Sequence, residues 1–298
     1  MISALNAIAA VLGCAIVGQP VYSCIPYALT PETEESAPTT TIPKKTGESI
    51  DVALTADSAL VWDVATGTIL YDKSSNKERP VASINKLLSS LVVRELLPKT
   101  STVVEIPPEV QKIQSQGVHV KLPVGQHASV KELLEASLVP SANDAMVTLA
   151  IAAKGSESAF VQYANEYAAR KGLFHTKLAN STGLQGGEQH STAQDVMKML
   201  TLAYEDPVLR PYLSQQKGQL VTEEGVVREF ISTDELIGTY LTILAGKTGY
   251  TLGAKENLAI ITLGRDGQKI GAVVLGSDNR FHDMKTVVEW VVRNYTWQ

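Results

Sequence analysis

The sequence predicts an α+β fold, in which helices flank an antiparallel sheet and a mostly helical subdomain is inserted at about residues 83–215. Two strand candidates come first, Ser58–Asp63 and Thr68–Tyr71, separated by a turn at residues 65–67. Helical spacing then dominates until about residue 215, where strand patterns return. This order separates helices from strands and argues against alternating βαβ units.

The helical stretch contains regular apolar faces and clear helix boundaries. After Ser83, apolar residues repeat at the i, i+3, i+4, i+7 spacing from Ile84 to Val92. Ser129 and Glu132 form a capping box before a helix that Pro140 ends. Three more helices are predicted, at residues 144–153, at 160–172 and around 196–204.

The last third of the chain reads as strands followed by one helix. A hairpin is predicted at residues 219–231 around Glu224-Gly225. Three longer strands and a helix are then expected at Thr242–Thr251, Leu258–Gly264, Ile270–Leu275 and Phe281–Asn294. Such strands and helices leave a cleft between a sheet and a helical lobe, where active sites commonly lie.

The first 49 residues differ in character from the rest. Residues 1–31 carry no charged side chain, and the apolar stretch Ala4–Val17 has the length of a signal-peptide core. We therefore predict a signal peptide or N-terminal anchor at 1–23, although no Lys or Arg lies near Met1. Cys24 ends a loose lipobox and is a candidate for lipidation. Residues 24–49, rich in Pro, Thr, Ser and Glu, are predicted to be a flexible linker.

Composition excludes several functional classes for the main domain, residues 50–298. The net charge of −5 and the lack of a Lys/Arg stripe argue against nucleic acid as a partner. Cys14 and Cys24 are the two cysteines, so the main domain has no cysteine nucleophile, disulfide or thiolate metal site. The five histidines lack zinc-binding spacings, and no phosphate-binding glycine loop occurs, so neither a metal nor a cofactor is predicted.

Ser83 and Lys86 are the first candidate catalytic pair. Ser83 is expected at a helix N-terminus, and Lys86 lies three residues later, on the same face. A neutral lysine in this place can accept the serine proton, provided that burial or positive charge lowers its pKa. The alternative is ordinary, because serine often caps helices and lysine is common on surfaces.

Two further motifs supply polar groups in other elements. Ser141 is a candidate hydroxyl relay to a leaving group, and Asn143 is a candidate donor to a substrate amide or to Lys86; helix capping by Asn143 is the alternative. Lys247 and Thr248, in a predicted strand, could bind a carboxylate, and a ligand backbone could lie along the strand at Gly249. The N–H groups of Tyr250 and Ser83 could form an oxyanion hole. A lysine that protects an edge strand is the alternative for Lys247.

The order and placement of the three motifs resemble the serine D-Ala-D-Ala carboxypeptidases, which are the low-molecular-mass penicillin-binding proteins. The resemblance covers residues 58–298, the bulk of a DD-peptidase-like catalytic domain at 50–298. Further matching stretches are Asp63–Gly67, Pro140–Ala145, Asn180–Leu184, His190–Asp195, Gly246–Thr251 and Val274–Gly276.

The resemblance implies a role for each candidate residue. Ser83 would be acylated, with Lys86 as its base and Ser141 and Asn143 as the second element. The carboxylate side of the substrate would be bound by Lys247, Thr248 and Gly249, with help from Arg280, which matches a family arginine less securely. The implied partners are peptidoglycan stem peptides ending in D-Ala-D-Ala and β-lactams, and the implied location is periplasmic or cell-surface.

Several features depart from the family pattern. Ala142 stands where glycine is frequent, and the stretch Ser232–Leu236 replaces a more usual Asn-Thr-Asn run. The 49 residues after Gly249 leave no room for the second domain and C-terminal anchor of many relatives. Membrane contact would therefore occur only through an uncleaved or lipidated N-terminus.

The motifs leave other functions open. A D,D-endopeptidase uses the same residues, and a penicillin-binding sensor would trap ligand without turnover. A β-lactamase is disfavoured because the Glu-x-x-Leu-Asn string of class A enzymes is missing; Glu188 lies in the region but lacks that context.

Overall fold

A five-stranded antiparallel sheet forms the centre of the computed structural model, which describes residues 41–47 and 50–297. The strands are β1 (Pro43–Lys45), β2 (Ser58–Asp63), β3 (Ile69–Lys73), β4 (Val103–Glu105), β5 (His127–Ser129), β6 (Lys217–Val221), β7 (Val227–Ile231), β8 (Ile243–Thr251), β9 (Lys255–Leu263), β10 (Lys269–Ser277) and β11 (Tyr295–Trp297). The helices are α1 (Lys86–Leu96), α2 (Val110–Ile113), α3 (Val130–Leu138), α4 (Asn143–Lys154), α5 (Glu157–Arg170), α6 (Ala193–Glu205) and α7 (Arg280–Asn294), with 3-10 helices at Ala82–Asn85 and Arg210–Ser214.

The central sheet separates two hydrophobic cores. Its strand order is β3-β2-β10-β9-β8, and every neighbouring pair is antiparallel. Side chains alternate between the two faces of a strand, so Val273 packs in the core with the helical subdomain while Val274 packs in the core under α7. Both faces of the sheet are therefore covered, which explains why the sequences of the central strands are nearly continuous runs of apolar residues.

The predicted α+β architecture is confirmed. The inserted helices lie between β3 and the late strands, as expected, and α1 is buried along most of its length. The capping box is present: the Ser129 hydroxyl accepts from the Glu132 N–H, and the Glu132 carboxylate accepts from the Ser129 N–H. Short elements without strong periodicity, such as the β4–β5 ribbon and α2, were not predicted.

The position of β8 determines where a site can form. β8 is the last strand in the sheet order, so among residues 41–47 and 50–297 no strand pairs with its outer side, and the 3-10 helix Ala82–Asn85 packs against it. The helical subdomain approaches the same edge through the segment before α4. The edge strand and the helical subdomain therefore form the two walls of a cleft.

One boundary of the predicted linker is wrong. The linker was expected to extend to residue 49, yet β1 at Pro43–Lys45 pairs with β11, with Pro43 opposite Trp297. Backbone pairing does not require apolar side chains, and the Lys45 ammonium lies 5.2 Å from the centre of the Trp290 ring. The predicted signal peptide or anchor, Cys24 and the linker up to residue 40 lie outside the described residues.

Within the ranges 41–47 and 50–297, no helix has both the length and the apolar character required to cross a membrane.

Candidate active site

Two completely buried lysines lie behind the cleft between β8 and the helical subdomain. Lys86 is 0% exposed and Lys247 is 2% exposed, which is exceptional for a side chain that usually stays in water. Their ammonium nitrogens contact the hydroxyls of Ser83 and Ser141 respectively. The structure thus forms two serine–lysine pairs in one site: Ser83 with Lys86, which are close in sequence, and Ser141 with Lys247, which are 106 residues apart.

Lys86 has three partners, all at hydrogen-bonding distance. Its Nζ lies 2.9 Å from Ser83 Oγ, 2.7 Å from Asn143 Oδ1 and 2.9 Å from the carbonyl oxygen of Thr182. Burial lowers the pKa of Lys86 well below its ordinary value, and the positive charge of Lys247 lowers it further, while Asp144 acts in the opposite direction. The neutral amine is therefore favoured.

The partners of Lys86 suit a neutral amine that acts as a base. A neutral amine has two N–H groups and one lone pair. The Asn143 and Thr182 oxygens can only accept, so they take the two N–H groups. The lone pair then faces Ser83 Oγ and can accept its proton. This geometry excludes the alternative in which Lys86 is a surface lysine.

Thr182 is presented to Lys86 by a turn that Asn180 organises. The Asn180 Oδ1 accepts from the N–H groups of Thr182 and Gly183, at 3.2 and 2.7 Å. Gly183 has a φ of +81°, and a Cβ at this position would collide with the carbonyl of Ala82. The stretch Asn180–Leu184 therefore packs against the backbone of Ala82 and Ser83 and supports the segment that carries Ser83.

Ser83 lies in a 3-10 helix that leads into α1, whereas the sequence predicted that it opens the α-helix itself. The α-helix begins at Lys86, and Ala82, just before Ser83, has a φ of +52°. This uncommon backbone conformation bends the chain at the nucleophile. As a result Ser83 faces the cleft while Lys86 stays buried.

Ser141 and Asn143 form the second element of the site. Ser141 has a φ of +69°, and its hydroxyl accepts from Lys247 Nζ at 2.8 Å. Asn143 is the first residue of α4 and Ala142 occupies the N-cap position, so the capping alternative for Asn143 is wrong. Asn143 also accepts from Lys86 rather than donating to it, and its Nδ2 donates to the Gln116 carbonyl at 3.1 Å.

Gly249 allows β8 to approach the nucleophile closely. A Cβ on Gly249 would lie 2.5 Å from the Val81 carbonyl oxygen and 3.2 Å from the Ser83 nitrogen. The missing side chain thus makes room for the backbone at Val81 and Ser83, whereas the sequence predicted that a ligand backbone lies there. It also places the β8 backbone at Gly249, just before Tyr250, beside the backbone of Ser83.

Seven of the nine predicted site residues line one cleft of about 190 Å³: Ser83, Ser141, Asn143, Thr248, Gly249, Tyr250 and Arg280. The other two, Lys86 and Lys247, lie behind its wall. Thr233 is a further lining residue that sequence reasoning missed, and its hydroxyl contacts the Thr248 hydroxyl. A larger groove of about 790 Å³ beside the β6–β7 hairpin contains none of the predicted residues.

Positive charge is concentrated at one end of this cleft. Arg280 begins α7, and its Nη1 lies 3.4 Å from the Gly249 carbonyl oxygen. Burial lowers the pKa of Lys247 to about 7, the Arg280 charge contributes to this shift, and Asp234 opposes it. An anionic ligand group would therefore be bound at the Lys247–Arg280 end of the cleft.

The site contains no metal-binding cluster. Among the residues that the structure describes, no group of three or more His, Cys, Asp or Glu side chains could hold a metal ion. The chemistry available to the cleft is that of a hydroxyl nucleophile with an amine base, a second hydroxyl and a cationic carboxylate-binding end. These features define a serine acyl-transfer site.

Comparison with known proteins agrees with this class. Residues 43–279 match the family described as D-alanyl-D-alanine carboxypeptidase. The chain is 31% identical over 240 residues to D-alanyl-D-alanine carboxypeptidase DacF of Bacillus subtilis, covering 78% of this chain and 60% of that protein. It is 29% identical over 255 residues to the D-alanyl-D-alanine endopeptidase of Pseudomonas aeruginosa, covering 84% and 81% of the two chains.

The fold is shared with a solved structure. The crystal structure of the Streptomyces K15 DD-transpeptidase matches with a TM-score of 0.76 and 23% identity, covering 82% of this chain and 100% of that one. The chain belongs to the D-alanyl-D-alanine carboxypeptidase family. The sequence-based prediction of this family of serine hydrolases is confirmed.

Proposed function

We propose that this chain removes the terminal D-alanine from peptidoglycan stem peptides that end in D-Ala-D-Ala, through an acyl-enzyme on Ser83. The observation that carries the proposal is the environment of Lys86. Its Nζ lies 2.9 Å from Ser83 Oγ, its pKa is lowered by burial, and two other acceptors direct its lone pair at the hydroxyl. Such a lysine activates a serine without a histidine.

In the acylation step, Ser83 Oγ attacks the carbonyl carbon of the penultimate D-alanine while Lys86 Nζ takes the hydroxyl proton. The N–H groups of Ser83 and Tyr250 are the proposed oxyanion hole, because Gly249 keeps the two backbones adjacent. The carbon–nitrogen bond then breaks. Ser141 passes a proton to the leaving nitrogen and receives one from Lys247, whose ammonium already donates to it.

Deacylation completes the cycle. A water molecule attacks the ester carbonyl and its proton returns to Lys247 through Ser141, while protonated Lys86 gives its proton to Ser83 Oγ as the ester carbon–oxygen bond breaks. The carboxylate of the terminal D-alanine would be bound by Thr248 and Arg280 near Lys247. β-Lactams, which present a carboxylate beside a strained amide, would acylate the same serine.

We further propose that the chain acts outside the cytoplasm. The uncharged apolar segment before Glu32 and the Pro/Thr-rich stretch that follows it support export and tethering. A polymer substrate in the cell wall requires this location. Membrane fractionation of the full chain and of a variant without residues 1–23 would distinguish an anchor from a cleaved signal. An anchor would hold the full chain in the membrane fraction, whereas a cleaved signal would not.

The test of function uses the full chain with a fluorescent penicillin and, separately, a pentapeptide ending in D-Ala-D-Ala. We expect a covalent adduct in the first case and D-alanine release in the second. Cross-linked muropeptide dimers form a third substrate, because relatives named endopeptidase share these motifs. An adduct with cleavage of dimers but without D-alanine release would favour the endopeptidase. The absence of any adduct would contradict the proposal.

The pH dependence of acylation follows from the two lysines. Lys86 must be neutral and Lys247 must be charged, and the pKa of Lys247 is about 7. A lysine loses its charge above its pKa, so the second-order acylation rate is expected to fall on the alkaline side, approaching tenfold per pH unit. Stopped-flow measurement with a chromogenic cephalosporin between pH 5.5 and 9 would show this decline.

Lys247→Arg is the control for this pH effect. Arginine stays protonated throughout the range, so the variant should lose the alkaline decline even where its overall rate is lower. If the acylation rate of the wild-type chain did not change with pH, the proposal that the reactive enzyme needs a charged Lys247 would be contradicted.

A further inference from the structure

A loop formed by residues 114–122, between α2 and β5, lies against the start of α4. Gln114 Nε2 donates to the Leu122 carbonyl oxygen at 2.8 Å, so the two ends of this loop are tied together. Two residues inside the loop, Gly117 and Val118, line the catalytic cleft. The 114–122 loop is therefore part of the wall of the site.

The buried carboxylate of Asp144 holds this loop in place. Asp144 is 0% exposed, and its Oδ1 accepts from the Val120 N–H at 3.2 Å. Its Oδ2 accepts from the Leu122 N–H at 3.0 Å and from Gln114 Nε2 at 3.2 Å. Hydrogen bonds to a charged acceptor are stronger than those between neutral groups, so these three contacts fix the loop against α4.

The loop in turn holds the side chain of Asn143. The Gln116 carbonyl accepts from Asn143 Nδ2 at 3.1 Å, and the Val118 carbonyl accepts from the Asn143 N–H at 2.8 Å. Gly117 lies so close that a Cβ on it would be 2.8 Å from Asn143 Nδ2. Because the loop holds the nitrogen of the amide, its oxygen points to Lys86 Nζ, 2.7 Å away.

We propose that Asp144 is a positioning residue for acylation, which acts through the 114–122 loop and Asn143 to orient the Lys86 amine. The inference rests on the proposed function. The route consists of hydrogen bonds that join Asp144 to the loop, the loop to Asn143 and Asn143 to Lys86. If the loop shifts, the Asn143 oxygen no longer takes one Lys86 N–H group, and the lone pair of the amine is no longer held toward Ser83 Oγ.

Asp144→Asn tests this role with almost no change in shape. The amide keeps one acceptor oxygen, but its NH2 group faces an N–H donor of the loop, so the loop is expected to loosen. Stopped-flow acylation by a chromogenic cephalosporin gives the rate constant at saturation and the dissociation constant of the noncovalent complex. We expect the rate constant per labelled site to fall between about tenfold and about 10²-fold. The dissociation constant should stay within about twofold, because the cationic end of the cleft belongs to β8 and α7.

This readout separates positioning from loss of fold. Unfolded chain lowers the number of sites that penicillin labels, but it leaves the rate constant of each labelled site unchanged. A wild-type rate constant at saturation in Asp144→Asn would overturn the proposal. Burial lowers the pKa of Lys86 and the charge of Asp144 raises it, so removal of that charge favours the neutral base and does not itself explain slower acylation.

Asp283→Asn is the matched control. Asp283 is a buried carboxylate in the first turn of α7, and it accepts from the Thr55 and Ala56 N–H groups at 3.1 and 2.7 Å. Neither of these two residues lines the cleft. The substitution should therefore lower thermal stability but leave the acylation rate constant within about twofold of wild type.

Gln114→Ala replaces Asp144→Asn if the latter does not fold, as judged by thermal unfolding. It removes one contact between the loop and Asp144 as well as the tie between the ends of the loop. A slowing of about threefold or more at saturation is expected. An unchanged rate constant in this folded variant would overturn the proposal.

A double variant shows whether the effect passes through Asn143. In an Asn143→Ala background the Lys86 amine has already lost this partner, so adding Asp144→Asn should slow acylation by no more than about twofold. A further loss of about tenfold would overturn the proposed route. Wild-type chain that is not acylated would contradict the proposed function itself, whereas equal rate constants for wild type and Asp144→Asn contradict only the role of Asp144.

Discussion

Ser83→Ala is expected to abolish covalent labelling by fluorescent penicillin and to reduce D-alanine release below detection. The methyl group leaves no nucleophile in the cleft, and Ser141, the other hydroxyl near a lysine, accepts from Lys247 at the carboxylate-binding end. Gel fluorescence after denaturation measures the adduct, and mass spectrometry of the wild-type adduct locates it. The fold should persist, because the lost hydroxyl contacts only Lys86 among described side chains.

Ser115→Ala is the control for the nucleophile. Ser115 is exposed, and its hydroxyl donates to the Lys112 carbonyl, so its loss should not change labelling. Labelling that persists in Ser83→Ala would move the nucleophile to another residue and would contradict the proposed role of the Ser83–Lys86 pair.

Lys86→Met is expected to slow acylation by about 10²–10⁴-fold, because general-base catalysis contributes about that much and Ser83 has no other base within reach in the described site. Methionine fills a similar volume and carries no titratable group. The residual rate should therefore lack the acid limb that protonation of Lys86 gives the wild type. Single-turnover kinetics with a chromogenic cephalosporin would measure both effects.

Lys112→Met is the matched control, since Lys112 is an exposed lysine in α2 and is not among the residues that line the cleft. It should retain wild-type kinetics. Thermal unfolding separates a chemical effect of Lys86→Met from loss of fold, because the Asn143 and Thr182 oxygens lose a partner in that variant. A rate within tenfold of wild type would show that Lys86 is not the base.

The structure also weighs against the β-lactamase alternative. Glu188, the acidic residue in the relevant stretch of sequence, has a side chain that is 87% exposed and pairs with Lys177. Within residues 41–47 and 50–297, no acidic side chain lines the catalytic cleft. A β-lactamase of class A uses a glutamate there to activate the deacylating water. Slow hydrolysis of the penicillin adduct is therefore expected.

Sequence patterns were sufficient for most of the fold because its main elements are long and periodic. The helices α1, α4, α5 and α6 and the strands β8, β9 and β10 follow directly from apolar spacing. The elements that were missed are short, and their stability comes from tertiary pairing. The clearest example is β1, which consists of one proline and two lysines but pairs through the backbone with β11. Local composition cannot reveal such a distant partner.

Site residues could be named from sequence only where a motif carried them. Ser83, Ser141 and Lys247 belong to short motifs, and their residue types suit acyl transfer. Thr182 contributes a backbone carbonyl, which no side-chain motif reports, although the Asn180–Leu184 stretch contained a signal in the form of an Asn-centred turn.

The sequence by itself therefore determined the α+β class, the family and the set of reactive side chains. Those properties depend on local periodicity and on residue identity. Only the tertiary structure decided that the pKa values of both lysines are lowered, because a lysine pKa depends on desolvation and on neighbours brought from other elements. Lys86 and Lys247 are the same residue type, yet the oxygens of Asn143, Thr182 and Ser83 contact the Nζ of one, while the Ser141 hydroxyl and the Thr248 carbonyl contact the Nζ of the other.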